Sequence, residues 1–410
     1  MGHAYIVGVG MSRFGRFLDR SLADIAAEAV TEAIADSELE RADLQAVFFA
    51  NATQGIVEGQ HLVRGQILLR KLGLPGIPVT NLENACASAS TALNAACAYV
   101  ISGQGDVAMA LGADKMNAAD RARSFAVFDG AWDVGDEEAS IRRLAQFGSA
   151  VEPPERKVET GQRSVFMDIY AALARYHMGR FGTTQADIAA VSAKNHKHSV
   201  LNPKAHYQTP MTVDEVLAAR EVSWPLTLPM CAPISDGAAA AIVVSEARAR
   251  QLGLSRAVRV AASVQASGSD RAPDDIERHL CRRAVDRAYE VAGLGPQDVS
   301  VVEVHDASAF AELQQAELMR LCPMGEGGPL ARSGATSLGG RIPINVSGGL
   351  ESRGHPIGAT GLAQIYELVM QLRGEAGGRQ VSGARVGLAE NGGGFYGYEE
   401  ATAVITLLQR

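Results

Sequence analysis

Asn81–Gly103 reads NLENACASASTALNAACAYVISG, and the fold follows from it. Just before Cys86, Gly76–Leu82 (GIPVTNL) is a short apolar run bounded by glycine and proline, the pattern of a buried strand. Just after it, Ser88–Ile101 is rich in Ala and Leu, with Ala92, Ala95, Ala96 and Tyr99 at helical spacing. Gly103 and Gly105 stop that helix, and Asp106–Gly112 (DVAMALG) predicts the next strand. Cys86 is therefore expected at a strand-to-helix turn, on the positive end of a helix dipole. A thiolate there gains about 0.3–2 kcal/mol, so its pKa is expected to fall from ~8.5 towards neutrality. Ala85, Ala87 and Ser88 are small and leave room for a partner to approach the sulfur. A buried structural cysteine fits the same stretch equally well.

Working outward, the same plan occurs twice. Ala4–Gly10 and Asp43–Ala52 predict strands, and Ser21–Asp36 an amphipathic helix with Leu22, Ile25, Ala26 and Val30 inward. Gly59–Leu72 reads as helical. Ala118–Arg163 changes to a composition rich in Asp, Glu, Arg, Gly and Pro, the start of an insertion running to about residue 225. Within it Val165–Arg180 predicts a helix, as do Thr184–His198, capped by Thr184 with Asp187 three residues on, and Val213–Ala219. Ser235–Ser245 returns to a buried strand, and helix Glu246–Leu252 ends the first half. In the second half Ala257–Ala266 is a strand and Ile276–Ala292 a helix with Leu280, Ala284, Ala288 and Val291 inward. Gly293–His305 mirrors Asp43–Ala52, and Gly348–Gly361 opens helix Leu362–Gln371, echoing the Cys86 turn. Val386–Leu388 and Ala401–Leu408 close it. Alternating strands and helices predict an α/β protein with a mostly parallel sheet covered on both faces, in two duplicated halves, 1–245 and 246–410.

At 410 residues the chain is long enough for two large units. A net charge of −8 with no basic block argues against nucleic-acid or membrane-surface binding. Five cysteines (Cys86, Cys97, Cys231, Cys281 and Cys322), none in a CxxC pair, exclude a zinc ribbon or disulfide framework; no metal cluster is visible. The start, MGHAYIVGVG, lacks a charged leader and a long apolar stretch, Ile6 breaks a myristoylation pattern, and LLQR is no peroxisomal address. A reduced cytoplasmic protein is expected.

Four motifs carry a resemblance over nearly the whole chain: YIVGVGMSRFGR at the start, NACASASTAL around Cys86, VHDAS at Val304–Ser308, and SGGLESRGHPIGATG at Ser347–Gly361, with AENGGG at Ala389–Gly394. Together they resemble the thiolase superfamily, most of all the sterol-carrier-protein-2 (lipid-transfer) type and the archaeal-type acetyl-CoA acetyltransferases. The resemblance implies a five-layered αβαβα fold, a loop domain at about 118–225, a tight homodimer or a homotetramer, and an acyl-CoA acyltransferase of lipid metabolism with no tightly bound cofactor. Coenzyme A thioesters would be substrates. It makes Cys86 the nucleophile that carries an acyl group, His355 its base and His305 the donor to an enolate oxygen. The backbone at position 357 (Ile357, before Gly358), Gly392 and Gly393 is expected against coenzyme A. Arg163, Lys194 and Lys197 stand where phosphates could meet them, though surface charge explains them as well. His3, His61, His177, His196, His198, His206 and His279 read as surface or packing.

The chain departs from the family in two places. Many thiolases carry a second cysteine, late in a Cys-x-Gly motif or within HDCF; here those read Glu390-Asn391-Gly392 and His305-Asp306-Ala307-Ser308. No remaining cysteine falls at a matching position, Cys97 reading as helix core. Protonation of the departing carbanion is left to His305, Glu390 or water. Two alternatives follow: a thiolase-like retro-aldolase, although related lyases carry tyrosines where this chain keeps its histidines, and a non-catalytic acyl-CoA-binding subunit. Relatives of the HDA type also imply a small OB-fold partner protein.

Overall fold

Short apolar runs become strands, and the computed structural model, which describes residues 2–154, 164–253 and 255–410, shows eleven. The first half contributes β1 (Ala4–Met11), β2 (Ala46–Ala50), β3 (Val79–Leu82), β4 (Val107–Asp114), a hairpin of β5 (Glu221–Ser223) and β6 (Leu226–Thr227), and β7 (Gly237–Ser245). The second contributes β8 (Val258–Ser267), β9 (Val301–Glu303), β10 (Val386–Gly393) and β11 (Thr402–Gln409). Apart from the hairpin, they form one nine-stranded sheet in the order β3-β2-β4-β7-β1-β8-β11-β10-β9.

The sheet is mixed, which corrects the expectation of a mostly parallel one. Only β3–β2, β2–β4 and β10–β9 run parallel; the other five pairings are antiparallel. The reason lies in the connections. β10 and β11 are joined by a short hairpin turn, which permits only antiparallel neighbours, and β7 enters the sheet from the insertion instead of through a βαβ crossover. Ile344 bridges Val302 in parallel and stands as a short third strand of the second half. Counted along the chain, both halves then have the spatial order third, second, fourth, fifth, first, so the duplication is visible in topology. The halves meet where Ala4–Ile6 pair with Val258–Val260.

The layers follow from which faces are apolar. Helix Leu22–Ser37 covers β1 and β7 on one outside, and helix Leu280–Ala292 covers β8 and β11 on the other. Helices Ser88–Ile101 and Thr360–Arg373 pack on each other between the halves and touch strands of both, giving the order αβαβα. Their burial explains their composition: Ala89, Ala92, Leu93 and Ala96 of one join Leu362, Ala363, Ile365 and Val369 of the other in one cluster, and alanine lets helices and strands approach closely. In helix Leu280–Ala292 the residues Leu280, Ala284 and Ala288 are buried as expected, but Val291 is 52% exposed because the helix ends at the next residue.

Within Gly59–Leu72 only Arg64–Lys71 is helical; another short helix, Gln54–Glu58, ends just before the stretch begins. The insertion has its own core. Helix Val165–Phe181, capped by Ser164, and helix Gln185–Ser199, with the Thr184–Asp187 capping box, pack Ile169, Leu173 and Ile188 against Phe310 and Leu313 of helix Ala309–Leu318. The composition shift hid a further helix, Glu137–Phe147.

Candidate active site

Cys86 stands in a turn built by its neighbours. Ala85 adopts φ +48°, a left-handed conformation uncommon for a side-chain-bearing residue. The Asn84 amide donates to Ser88 Oγ (2.8 Å), and that hydroxyl donates to the Ala85 carbonyl (2.6 Å), tying the turn to the first helical residue. A Cβ on Gly393 would stand 2.3 Å from the Asn84 carbonyl oxygen, so the end of β10 fits against this turn only as glycine. The N–H groups of Cys86 and Gly394 are directed at the sulfur.

His355 lies at the matching turn of the second half, before helix Thr360–Arg373. Its Nδ1 bonds Thr360 Oγ1 at 2.6 Å, and the Thr360 hydroxyl donates to the Pro356 carbonyl at 2.9 Å. With the hydroxyl proton so placed, Nδ1 carries the ring proton and Nε2 is bare. Nε2 faces Cys86 Sγ at 3.3 Å. Burial pushes the Cys86 thiol up to about 12, with Asp114 and Glu83 adding to it and the two amides opposing. Burial, then His305 and Arg353, holds His355 well below the usual imidazole range. The resting pair is therefore a neutral thiol donating to a neutral imidazole. This corrects the expectation of a thiol lowered by its helix: removal from water outweighs the helix end.

His305 follows β9. It is 3% exposed, its ring centroid lies 5.1 Å from that of His355, and neither ring nitrogen has a hydrogen-bond partner among the described residues. Burial pushes it down to about 3, so it is a neutral ring with one N–H to give. One donor atom each of Cys86, His305 and His355 lie within 4.8 Å of one another. These are also soft metal donors, but the proton on the Cys86 thiol is the one a metal would have to displace.

Glu390 is fully buried, and its Oε2 accepts the His305 backbone N–H at 2.9 Å. Burial and Glu400 push it up to about 8. Its carboxyl lies behind His305, against Cys281, and does not line the cavity that holds Cys86. That cavity, about 600 Å³, is walled by Phe125, Phe128, Phe166, Met167 and Tyr170 from the insertion, and by Cys86, His305 and His355. Ile357 and Gly394 line it; Gly392 and Gly393 do not. Position 357 itself presents a side chain, with Gly358 next to it donating its amide to Asp114 (2.5 Å).

Four participants escaped the sequence reading. Thr360 and Gly394 stand inside motifs already singled out, so their signal was present. His206, bonded to Ser235 Oγ at 2.9 Å, and Cys231 line the cavity without any local signal. Of the cations considered for phosphates, Lys194 is buried in an ion pair with Glu312 (2.7 Å), Lys197 is exposed away from the cavity lining, and Arg163 lies outside the described residues. Arg16, Arg121 and Arg220 are exposed on the cavity wall instead.

A two-repeat αβαβα fold with a cysteine–histidine pair at the seam of the repeats defines the thiolase fold class. The thiolase N-terminal domain model matches residues 4–223, and the thiolase C-terminal domain-like model matches residues 261–407. The chain is 37% identical to the acetyl-CoA acetyltransferase of Methanothermobacter thermautotrophicus over 99% of both. It is 36% identical to sterol carrier protein 2 of Homo sapiens over 94% of this chain and 69% of that one. To the benzoylsuccinyl-CoA thiolase subunit BbsB of Thauera aromatica it is 35% identical, over 92% of this chain and 91% of the relative. A solved structure titled Ltp2-ChsH2(DUF35) aldolase superposes with a TM-score of 0.76 at 26% identity, covering 98% of this chain and 97% of that one. The chain belongs to the thiolase family.

Proposed function

We propose that this protein is a thiolase-type acyltransferase that cleaves a 3-ketoacyl-CoA with coenzyme A, or condenses two acyl-CoA molecules, through an acyl group carried on Cys86. The observation that carries this is the 3.3 Å contact between Cys86 Sγ and a bare His355 Nε2. In the cleavage direction His355 takes the thiol proton as sulfur attacks the keto carbon. The alkoxide that forms beside Cys86 faces the N–H groups of Cys86 and Gly394. As the carbon–carbon bond breaks, the leaving enolate places its charge on the thioester oxygen, and the neutral His305 ring offers its N–H to that oxygen. A preorganised donor in such a water-poor site is worth several kcal/mol. Coenzyme A then takes the acyl group from Cys86.

Arg16, Arg121 and Arg220 are the groups we assign to coenzyme A phosphates, because all three are exposed on the cavity wall and none forms an ion pair among the described residues. Glu390 supports His305 from behind. The retro-aldolase reading rests on the fold likeness to one aldolase structure; the poised Cys86–His355 pair speaks for acyl transfer and against a purely binding subunit. Lipid acyl chains suit the apolar cavity wall. We place the halves at 1–245 and 246–410, with the loop domain at about 118–225. A homodimer through β3 is proposed, since β3 is an open sheet edge with Leu62 75% exposed nearby. A small OB-fold partner is a further proposal, supported by a relative named as a subunit and by the two-component title of the aldolase structure. No helix among the described residues is long and apolar enough to cross a membrane; a cytoplasmic place is proposed from the five unpaired cysteines.

The test is mass spectrometry of the protein after mixing with acetyl-CoA or a panel of 3-ketoacyl-CoA. An acyl adduct on Cys86 is expected, absent with all turnover in Cys86→Ser. A variant retaining more than a few per cent of turnover refutes covalent catalysis here.

A further inference from the structure

Carbon–carbon cleavage leaves an electron pair on the α carbon, and one proton must be delivered to it. That carbon lies between the acyl carbon on Cys86 and the carbon bearing the enolate oxygen, so the donor must stand on the wall of the cavity that holds Cys86 and His305. Resting on the acyl-transfer reading above, we propose that Cys231 is a catalytic acid/base that protonates the α carbon in cleavage and deprotonates it in condensation.

The segment Cys231–Asp236 joins both histidine loops. Cys231 forms an antiparallel bridge with Ser308, and the Ala232 amide donates to the Ala307 carbonyl at 3.0 Å, so Cys231 lies along the strip that follows His305. Three residues on, Ile234 bridges His355, and Ser235 Oγ accepts the His355 amide at 3.2 Å. Among the five cysteines only Cys86 and Cys231 line the cavity. Cys97 is in the inner helix core, Cys281 is enclosed against Glu390 and Glu400, and Cys322 borders the outer cluster of the second half.

The second observation is independent of the cysteine. His305 lines the same cavity with both ring nitrogens buried and unpartnered among the described residues, which marks this wall as the place where a polar substrate atom docks. The Cys231 sulfur makes one weak contact, to the Thr227 carbonyl at 3.4 Å, and a thiol so lightly held is free to turn towards the cavity. His206, which also lines the cavity, has its Nδ1 committed to Ser235 and its ring 4.5 Å from that of Tyr207.

The protons balance. Cys86 gives its proton to His355 and forms the carbon–sulfur bond. The carbon–carbon bond breaks, and the Cys231 S–H proton forms the new α C–H bond, leaving a Cys231 thiolate. The Cys231 thiolate takes a proton back from solvent, and coenzyme A gives its thiol proton to solvent as it attacks the acyl carbon. The Cys86 thiolate leaves and recovers its proton from His355. No oxidant, reductant or further reactant is needed.

The test uses the full chain carrying Cys231→Ala or Cys231→Ser, with two readouts: acylation of Cys86 by acetyl-CoA, and exchange of the acetyl-CoA methyl protons in deuterium oxide, both by mass spectrometry. Acylation within about twofold of wild type is expected, with exchange and ketoacyl-CoA cleavage falling by about 10²–10⁴-fold, the contribution typical of one positioned acid/base. Exchange and cleavage within threefold of wild type in Cys231→Ala, with acylation intact, overturn the proposal. If Cys231→Ala also loses acylation, Cys231→Ser, which keeps the volume and a donor to Thr227, decides: wild-type exchange in it overturns the proposal, and acylation without exchange supports it. Failure of the wild-type protein itself to acylate at Cys86 refutes the acyl-transfer reading and this proposal with it, and is distinguished by that first readout.

Discussion

Thr360→Val tests whether the Cys86–His355 pair is set by the hydroxyl behind it. Thr360 is fully buried, and valine keeps its shape while deleting the acceptor of His355 Nδ1–H. A buried donor left without a partner costs about 1–3 kcal/mol. The ring can avoid that cost by moving its proton to Nε2, but Nε2 then cannot take the proton of Cys86. Either way the thiolate–imidazolium state rises by this amount, and alkylation of Cys86 slows by about 5- to 150-fold at one decade per 1.4 kcal/mol. The assay is the second-order rate of iodoacetamide labelling of Cys86 from pH 6 to 10. In wild type the rate should climb about tenfold per pH unit with no plateau near neutrality, since burial holds the thiol at about 12. The Thr360→Val curve should run parallel and lower, and Thr360→Ser should restore it. A Thr360→Val rate within twofold of wild type refutes the reasoning, and a wild-type plateau near pH 7 shows that the helix end controls the thiol after all.

His305→Ala should leave that labelling nearly unchanged while lowering carbon–carbon turnover by about 10²–10³-fold, the loss of one donor; equal slowing of both would move His305 into thiol activation. Glu390 is raised by burial and Glu400 to about 8, above its value in an unfolded chain of about 4.3, so the fold holds its proton where the unfolded chain has lost it. Its contribution is fully present below about pH 4 and lost as pH rises through about 8. Glu390→Gln should therefore flatten the fall in thermal midpoint between pH 5 and 8; parallel curves for variant and wild type contradict this. Light scattering at micromolar concentration should give twice the chain mass, moving towards one chain mass in Leu62→Asp; a wild-type monomer refutes the β3 interface.

Helix Ser88–Ile101 was legible to the residue because its alanine content and its glycine stop are local properties. The capping box at Thr184–Asp187 was legible for the same reason. Sheet direction was not, because a hairpin between β10 and β11 and an entry from the insertion look, in a string of residues, like any other pair of strands. Cys86, His305 and His355 could be named in sequence through their motifs. What the string could not show was that β10 seats its backbone against the Cys86 turn, placing the Gly394 amide at the sulfur while Gly392 and Gly393 stay out of the cavity. Burial of Cys86 reversed the expected direction of its pKa, since desolvation depends on everything packed around the thiol and not on its own helix. Cys231 and His206 reach the cavity through chain segments distant in sequence from the motifs.

Cys86 and His355 occupy corresponding turns, each leading into an inner helix of its own half. Two copies of a single half-length ancestor, associated face to face, would have presented the same side chain from both sides: two thiols or two imidazoles, but never one of each. In a single polypeptide that constraint is absent, and the two turns carry different side chains. The nucleophile and its base thus come one from each half, Cys86 two residues before its inner helix and His355 five residues before its own, and neither half carries the pair alone.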